Sequence, residues 1–109
     1  MATEINGVSY KLEPGANLSG ADLTGADLSN SDLTGVNLSN ADLTGANLNG
    51  SNLTSANLSN ADLSNADLRD TDLTAAYPIG AKLSNTDLTG ADLSGSSFKS
   101  ANLSNANLS

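Results

Sequence analysis

Residues 21–45 read ADLTG-ADLSN-SDLTG-VNLSN-ADLTG, and this five-residue pattern decides the fold of the chain. The same register continues without insertion or deletion through nineteen units, from Ala16 to Ser109. The third place is leucine in seventeen of these units, and the two exceptions are Pro78 and Phe98. Self-similarity at a fixed short period predicts an array of stacked repeats, and it argues against disorder in a chain that has only three aromatic residues.

Each unit is predicted to be a short extended segment that ends in a corner. In the unit that begins at Ala21, the side chains of Ala21 and Leu23 point to one side of an extended chain, and those of Asp22 and Thr24 point to the other. The fifth place is mostly glycine or asparagine, the residues that accept positive φ and form turns. We therefore expect the first-place alanines and the leucines to be buried from Ala21 to Leu93, and all aspartates to be exposed.

Smaller variations recur every twenty residues, which predicts the number of units in one coil. The residues that recur at this spacing include Asn17, Asn37 and Asn57, and also Ser31, Ser51 and Thr71, which replace alanine. Four units would then close one circuit, and equivalent side chains would stack at the strand spacing of about 4.8 Å. Such ladders are expected to hydrogen-bond from coil to coil. The predicted shape is a square solenoid.

The motif A(D/N)LXX resembles the pentapeptide repeat family, and the resemblance covers residues 16–109. It implies an all-β fold, a right-handed quadrilateral β-helix (solenoid) with the first-place and third-place side chains inside. With four pentapeptide units per coil, the 94 repeat residues make just under five coils.

Residues 1–15 precede the repeats and are predicted to form an N-terminal cap with a short strand, while residues 16–109 form the β-helix. Asn6-Gly7 is a hairpin turn signal, and Val8, Tyr10 and Leu12 alternate as in a strand with one apolar face. Repeat arrays need their ends covered, so this segment is expected to lie over the first coil.

Composition narrows the classes of function. The chain has no cysteine and no histidine, which removes thiol nucleophiles and the commonest metal and acid–base ligands. No phosphate-binding loop or pocket-forming loop interrupts the repeats, so we expect no enzyme, no catalytic residues, and no cofactor or metal site. The net charge of −8 disfavours direct nucleic-acid binding. No signal peptide or membrane-spanning run is evident, so a cytoplasmic protein without membrane contact is expected.

The candidate partner contact is centred on one degenerate unit, residues 76–80. It places proline where leucine belongs and puts Tyr77 and Ile79 at outward positions. Twenty-residue counting stacks Lys99 on Ile79 and brings Lys82 round the next corner. These four residues are the candidate contact with a protein partner, and a degenerate repeat that the fold merely tolerates is the alternative.

Phe98, Leu103 and Leu108 lie in the last coil and are the candidate self-association end. An uncovered coil exposes apolar side chains and unpaired backbone groups, an edge that natural β-proteins avoid. A homo-oligomer through the C-terminal coil is therefore expected, with a two-fold pairing as its simplest form.

The favoured function is a non-catalytic structural or protein–protein interaction module that presents a rigid acidic rod. The alternative, which the family resemblance implies, is a DNA mimic that binds a type II topoisomerase and so inhibits gyrase or protects it from quinolones. Duplex DNA carries one charge per about 1.7 Å, whereas seven net charges over a rod of about 23 Å give one per about 3 Å. This lower density favours the interaction module.

Overall fold

The N-terminal segment forms a β-hairpin in the computed structural model, which describes residues 2–109. Strand β1 (Ala2–Ile5) pairs antiparallel with strand β2 (Val8–Lys11). Asn6 and Gly7 connect them with φ values of 51° and 82°, and positive φ at both central residues is what a type I′ turn requires.

The hairpin lies against the first coil of the repeats. Asn6 Nδ2 donates to the Thr24 carbonyl oxygen at 3.1 Å and to the Asp22 carbonyl oxygen at 3.3 Å. Ile5, Tyr10 and Leu12 are half-buried and pack on the apolar core. The hairpin therefore contacts the repeats through both polar and apolar groups.

From residue 16 onward the chain winds in coils of twenty residues. Parallel bridges connect second-place residues that lie twenty positions apart, as in Asp22 to Asp42 and Asp42 to Asp62. The predicted circuit of four units is confirmed by this spacing. The chain measures 33 × 21 × 21 Å along its principal axes, which is the shape of a short rod.

Hydrogen bonds in a representative unit, residues 41–45, show why the pattern has five places. The Ala41 N–H donates to the carbonyl oxygen of the preceding Leu38 at 3.1 Å and closes the corner. The second-place, third-place and fifth-place N–H groups donate to carbonyl oxygens of the adjoining coils at 2.9, 2.7 and 3.0 Å. The remaining donor, the Thr44 N–H, bonds to the side-chain Oδ1 of Asp42 at 3.0 Å. The second-place carboxylate or amide thus satisfies the one N–H that the backbone leaves over.

Every corner residue from Gly20 to Asn105 has positive φ, in the range from 56° to 75°. This is the φ that a type II turn needs at its third position. Glycine and asparagine fill most of these positions, but Ser55 (61°), Ala75 (58°) and Ser100 (61°) do not belong to the types that favour left-handed backbone. These three corners are therefore strained.

Leucine and small side chains fill the axis of the rod. The leucines from Leu18 to Leu88 are buried, and so are most of the first-place alanines between residues 21 and 81. The prediction of burial up to Leu93 is wrong at its end: Ala91 and Leu93 are half-buried, because no coil packs on their outer side.

The prediction that all aspartates are exposed is also wrong in part. Four of them are half-buried: Asp62, Asp67, Asp72 and Asp87. Their carboxylates accept the fourth-place N–H of their own units, as those of the exposed aspartates do, so this hydrogen bond does not account for the difference in burial.

Side-chain ladders between coils, which the twenty-residue recurrence predicted, do not form the expected hydrogen bonds. Ser51 Oγ and Thr71 Oγ1 donate instead to the carbonyl oxygens of the leucines three residues before them, at 2.7 and 2.8 Å. The stacked asparagines bond within their own units. Coils are connected mainly by backbone hydrogen bonds, because the outward side chains are already engaged locally.

No helix long and apolar enough to cross a membrane occurs between residues 2 and 109.

Candidate functional site

The rod has four faces, each built from units that lie twenty residues apart. Face 1 holds the units that begin at residues 16, 36, 56, 76 and 96, and face 2 those at 21, 41, 61, 81 and 101. Face 3 holds the units at 26, 46, 66, 86 and 106, and face 4 those at 31, 51, 71 and 91. The bridges follow these columns and so define the faces directly.

Charge is distributed unevenly among the faces. The ten aspartates of the repeats all lie on faces 2, 3 and 4. Face 1 has no acidic residue, and its second places hold asparagines in three coils, then Tyr77 and Ser97. Its only charged side chain is Lys99. One side of an acidic rod is therefore neutral to basic.

Sixteen of the nineteen units close a small side-chain ring, an Asx turn. The second-place Oδ1 accepts the N–H of the fourth-place residue at 2.9–3.2 Å. In most units the fourth-place hydroxyl also donates to the same oxygen, as Thr44 Oγ1 does to Asp42 at 2.6 Å. These rings stabilise the corners locally.

The same hydrogen bonds keep the acidic faces ionised. Donation from the fourth-place side chain, followed by donation from the fourth-place N–H, lowers the pKa of six aspartates: Asp27, Asp32, Asp42, Asp72, Asp87 and Asp92. The pKa of Asp67 is lowered chiefly by the hydrogen bond from the Arg69 side chain, which approaches its Oδ2 to 2.7 Å. Hydrogen bonds to the ionised form favour it, so these seven carboxylates stay negative to a lower pH than an ordinary aspartate does.

Three units lack the Asx turn because their second places hold Tyr77, Lys82 and Ser97. The fourth-place N–H groups of these units belong to Ile79, Ser84 and Lys99, and none of them finds an acceptor within residues 2–109. The three units adjoin one another. Units 76–80 and 96–100 are stacked on face 1, and unit 81–85 follows round the corner on face 2.

The four predicted contact residues, Tyr77, Ile79, Lys82 and Lys99, all lie in these three units. We call the outer surface of units 76–80, 81–85 and 96–100 the corner patch. Ile79 and Lys99 occupy equivalent places in successive coils. Tyr77 and Ile79 are 39% and 38% exposed, which is unusual for large apolar side chains on this rod. Neither lysine forms an ion pair with any carboxylate of the described chain, where the one such pair joins Arg69 to Asp67.

Pro78 weakens the sheet beneath the corner patch. Leu73 and Leu83 donate their N–H groups to the following coil at 2.8 and 2.7 Å, but proline has no N–H to donate. The bridge that would connect Tyr77 with Ser97 is accordingly not formed, although the Ser97 N–H still reaches the preceding coil at 3.1 Å. The Tyr77–Pro78 peptide bond is trans.

The predicted self-association end is only partly covered. Phe98 and Leu103 are half-buried against the core, and Leu108 is 55% exposed. A further coil, a second copy or another protein would each cover these side chains.

The described part of the chain has neither a pocket for a substrate nor a group of side chains for a metal ion. The leucines fill the axis, and no cavity or cleft opens between residues 2 and 109. Nor does this part of the chain bring acidic side chains together in a group that could hold a metal ion.

The sequence predicted the exposed side chains of the corner patch, but not the absence of the Asx turn in its three units. The backbone N–H of Ser84 and the substitution at Ser97 were not singled out. The signal was present, since units 76–80, 81–85 and 96–100 alone lack aspartate or asparagine at the second place. It becomes visible only when the chain is wrapped with a period of twenty.

Comparison with known proteins agrees with the coil geometry. The profile of pentapeptide repeats matches the chain in eight copies, over residues 14–50, 37–74 and 79–109. No curated protein matches the chain.

Several solved structures are similar. A pentapeptide repeat protein from the Arabidopsis thaliana thylakoid lumen is 36% identical, with a TM-score of 0.80 over 88% of this chain. The pentapeptide repeat protein Rfr23 from the cyanobacterium Cyanothece 51142 is 33% identical, with a TM-score of 0.84 over 86% of this chain. The present chain spans 65% of the length of each of these two proteins.

A more distant similarity is to QnrB1, a plasmid-mediated fluoroquinolone resistance protein, which is 27% identical with a TM-score of 0.59. That match covers 80% of this chain and 50% of QnrB1. The five-residue register, the twenty-residue coil and the profile match together place the chain in the pentapeptide repeat family, to which it belongs.

Proposed function

We propose that the chain is a non-catalytic structural and protein-interaction module, a right-handed four-sided rod of just under five coils that binds its partner at the corner patch. The observation that supports this most is the loss of the Asx turn in three adjoining units. Each lost turn forgoes a hydrogen bond worth about 1 kcal/mol, and rules of local stability are broken most often at functional sites.

The chemistry of the corner patch supports a protein partner. Tyr77 and Ile79 give exposed apolar area, and tyrosine is enriched among residues that dominate protein interfaces. The flat, rigid faces that surround the patch would hold it in one orientation.

Site-specific photo-crosslinking tests this proposal. A benzoylphenylalanine at position 77 should give one discrete adduct in cells that express the protein, and the same group at position 47, on face 3, should give none. The proposal is contradicted when both positions give the same adducts, or when position 77 gives none.

A second candidate, topoisomerase binding by DNA mimicry, is supported by the concentration of all ten repeat aspartates on three faces. The similarity to QnrB1 points the same way. Eight net charges over 33 Å give one per about 4 Å, however, well below the one per about 1.7 Å of duplex DNA. Protection or inhibition of gyrase in a supercoiling assay would favour this candidate over the corner patch.

Self-association through Phe98, Leu103 and Leu108 stays a prediction. Burial of their exposed area in a two-fold pair would remove apolar surface from water. Light scattering should then give a mass above the monomer value of 10.9 kDa, and Leu108→Asp should return it to that value. A monomer at millimolar concentration would contradict the prediction.

A further inference from the structure

The corner patch presents three backbone donors whose usual acceptor is missing. In sixteen units an oxygen of the second-place side chain lies 2.9–3.2 Å from the fourth-place nitrogen. At Ile79, Ser84 and Lys99 the same N–H groups are present with no oxygen of the described chain in that position. In the sixteen other units the acceptor approaches from the outward-facing side chains, so an oxygen from outside the chain could reach these three donors.

The chain's own Asx turns show which kind of acceptor fits these three N–H groups. Twelve of the sixteen rings use an asparagine or aspartate oxygen together with a hydroxyl or guanidinium donor from the fourth place, and aspartate is common among them. A carboxylate is the stronger of the two acceptors, because a charged acceptor roughly doubles the strength of a hydrogen bond.

The charge around the three donors favours a carboxylate as well. Lys99 lies on the face that has no acidic residue, and it forms no ion pair in the described chain. Lys82 is also unpaired, although Asp62 occupies the equivalent place in the preceding coil and compensates part of its charge. The aspartates of faces 2–4 would repel an acidic segment, which favours face 1. On face 1 the fourth-place N–H groups of the first three coils are already bonded to asparagine side chains, so free donors remain only in units 76–80 and 96–100 of the described chain.

We propose that the corner patch binds an acidic protein segment, in which aspartate or glutamate side chains flank an aliphatic or aromatic one. The partner's carboxylates accept the free N–H groups of Ile79, Ser84 and Lys99, as the chain's own aspartates do in other units. Its apolar side chain packs between Tyr77 and Ile79. This inference rests on the proposed function and adds to it the chemistry of the partner.

The test is a titration of the ¹⁵N-labelled protein with a synthetic peptide of alternating aspartate and leucine. We expect saturable shift changes confined to the corner patch, with the amide protons of Ile79, Ser84 and Lys99 moving downfield as they gain a charged acceptor. The matched peptide with lysine in place of aspartate should leave these three signals unchanged.

A variant that refills the acceptor positions makes the test specific. Tyr77→Asp with Ser97→Asp supplies internal acceptors on face 1, should fold at least as well as the parent, and should weaken peptide binding about tenfold or more. Asn47→Asp with Asn52→Asp adds the same two charges on faces 3 and 4, keeps both Asx turns, and should bind the peptide almost as the parent does.

Three results would overturn the inference. Equal binding of the lysine peptide would show that the partner is not acidic, while the crosslinking at position 77 would still stand. Shifts of the same three amides with protein concentration alone would identify a second copy as the occupant. No shift at the corner patch with millimolar aspartate peptide would refute carboxylate binding, and the crosslinking result would then decide whether the patch binds anything.

Discussion

Restoring one missing Asx turn should stabilise the protein, and Lys82→Asn is the cleanest way to do so. The new Oδ1 would accept the Ser84 N–H, which has no acceptor in the described chain, and the half-buried Ser84 hydroxyl could donate to the same oxygen. The equivalent bonds at Asn57 measure 3.0 and 2.5 Å. One to two such bonds contribute about 1 kcal/mol after the exchange with water. For a chain of 109 residues this corresponds to a melting temperature about 4 °C higher.

Asparagine is preferable to aspartate at this position because the column already holds Asp62 one coil away. A second carboxylate at about 4.8 Å would cost nearly 1 kcal/mol in water and would cancel the gain. Asparagine supplies the same oxygen without charge.

Lys82→Gln is the matched control, since it removes the same charge and adds the same amide. Its side chain is one carbon longer and cannot close the Asx ring, so its melting temperature should stay close to that of the parent. Thermal and urea unfolding followed by circular dichroism would measure all three proteins. The reasoning is refuted when Lys82→Gln stabilises as much as Lys82→Asn, because the gain would then come from charge removal alone.

Three further predictions follow from the corners, the core and the carboxylates. Ala75→Gly should raise stability by about 0.5–1 kcal/mol, since relief of left-handed strain exceeds the entropy that glycine adds to the unfolded chain. Gly45→Ala, where a Cβ would meet no atom within 4 Å, should lower stability by a similar amount. Changes in the same direction for the two variants in urea unfolding would contradict the strain at Ala75. Leu63→Asp should lower the free energy of unfolding by about 4 kcal/mol or more, because Leu63 is 0% exposed and the new charge would be buried without a partner. Asp62→Leu should lower it by only about 1 kcal/mol, through loss of the hydrogen bond from the Ser64 N–H. Similar melting temperatures for the two variants would argue against the inward–outward assignment. The aspartate pKa values in the folded state lie below the ordinary 3.8, so the unfolded chain binds more protons in acid. The melting temperature should therefore stay constant from pH 7 to about 5 and fall below about pH 4. A rise of the melting temperature below about pH 4 would show that repulsion among the carboxylates dominates instead.

Local chemistry determined most of the fold, and for that reason the sequence predicted it. Leu23 and Asp22 alternate in and out because successive side chains of an extended segment point to opposite sides. Gly25 makes a corner because it accepts positive φ. The coil length followed from the recurrence of Asn17 at Asn37, because residues that stack are under the same constraint. Each of these rules concerns a few neighbouring residues repeated many times.

Tertiary structure decided what depends on residues distant in sequence. The stacked serines and asparagines were expected to bond between coils, but Ser51 bonds to Leu48 and Asn57 to Ser59, because a local acceptor or donor reaches them first. The partial burial of Leu93 depended on whether another coil packs against it.

The corner patch shows the same division between sequence and tertiary structure. That Tyr77, Lys82 and Ser97 each break the second-place rule is written in the sequence. That their three free N–H groups adjoin, on and beside the face without carboxylates, follows only from winding the chain every twenty residues. Contact between residues 79 and 99 is a property of the coil and not of the unit, and for that reason a reading of single units could not find the site.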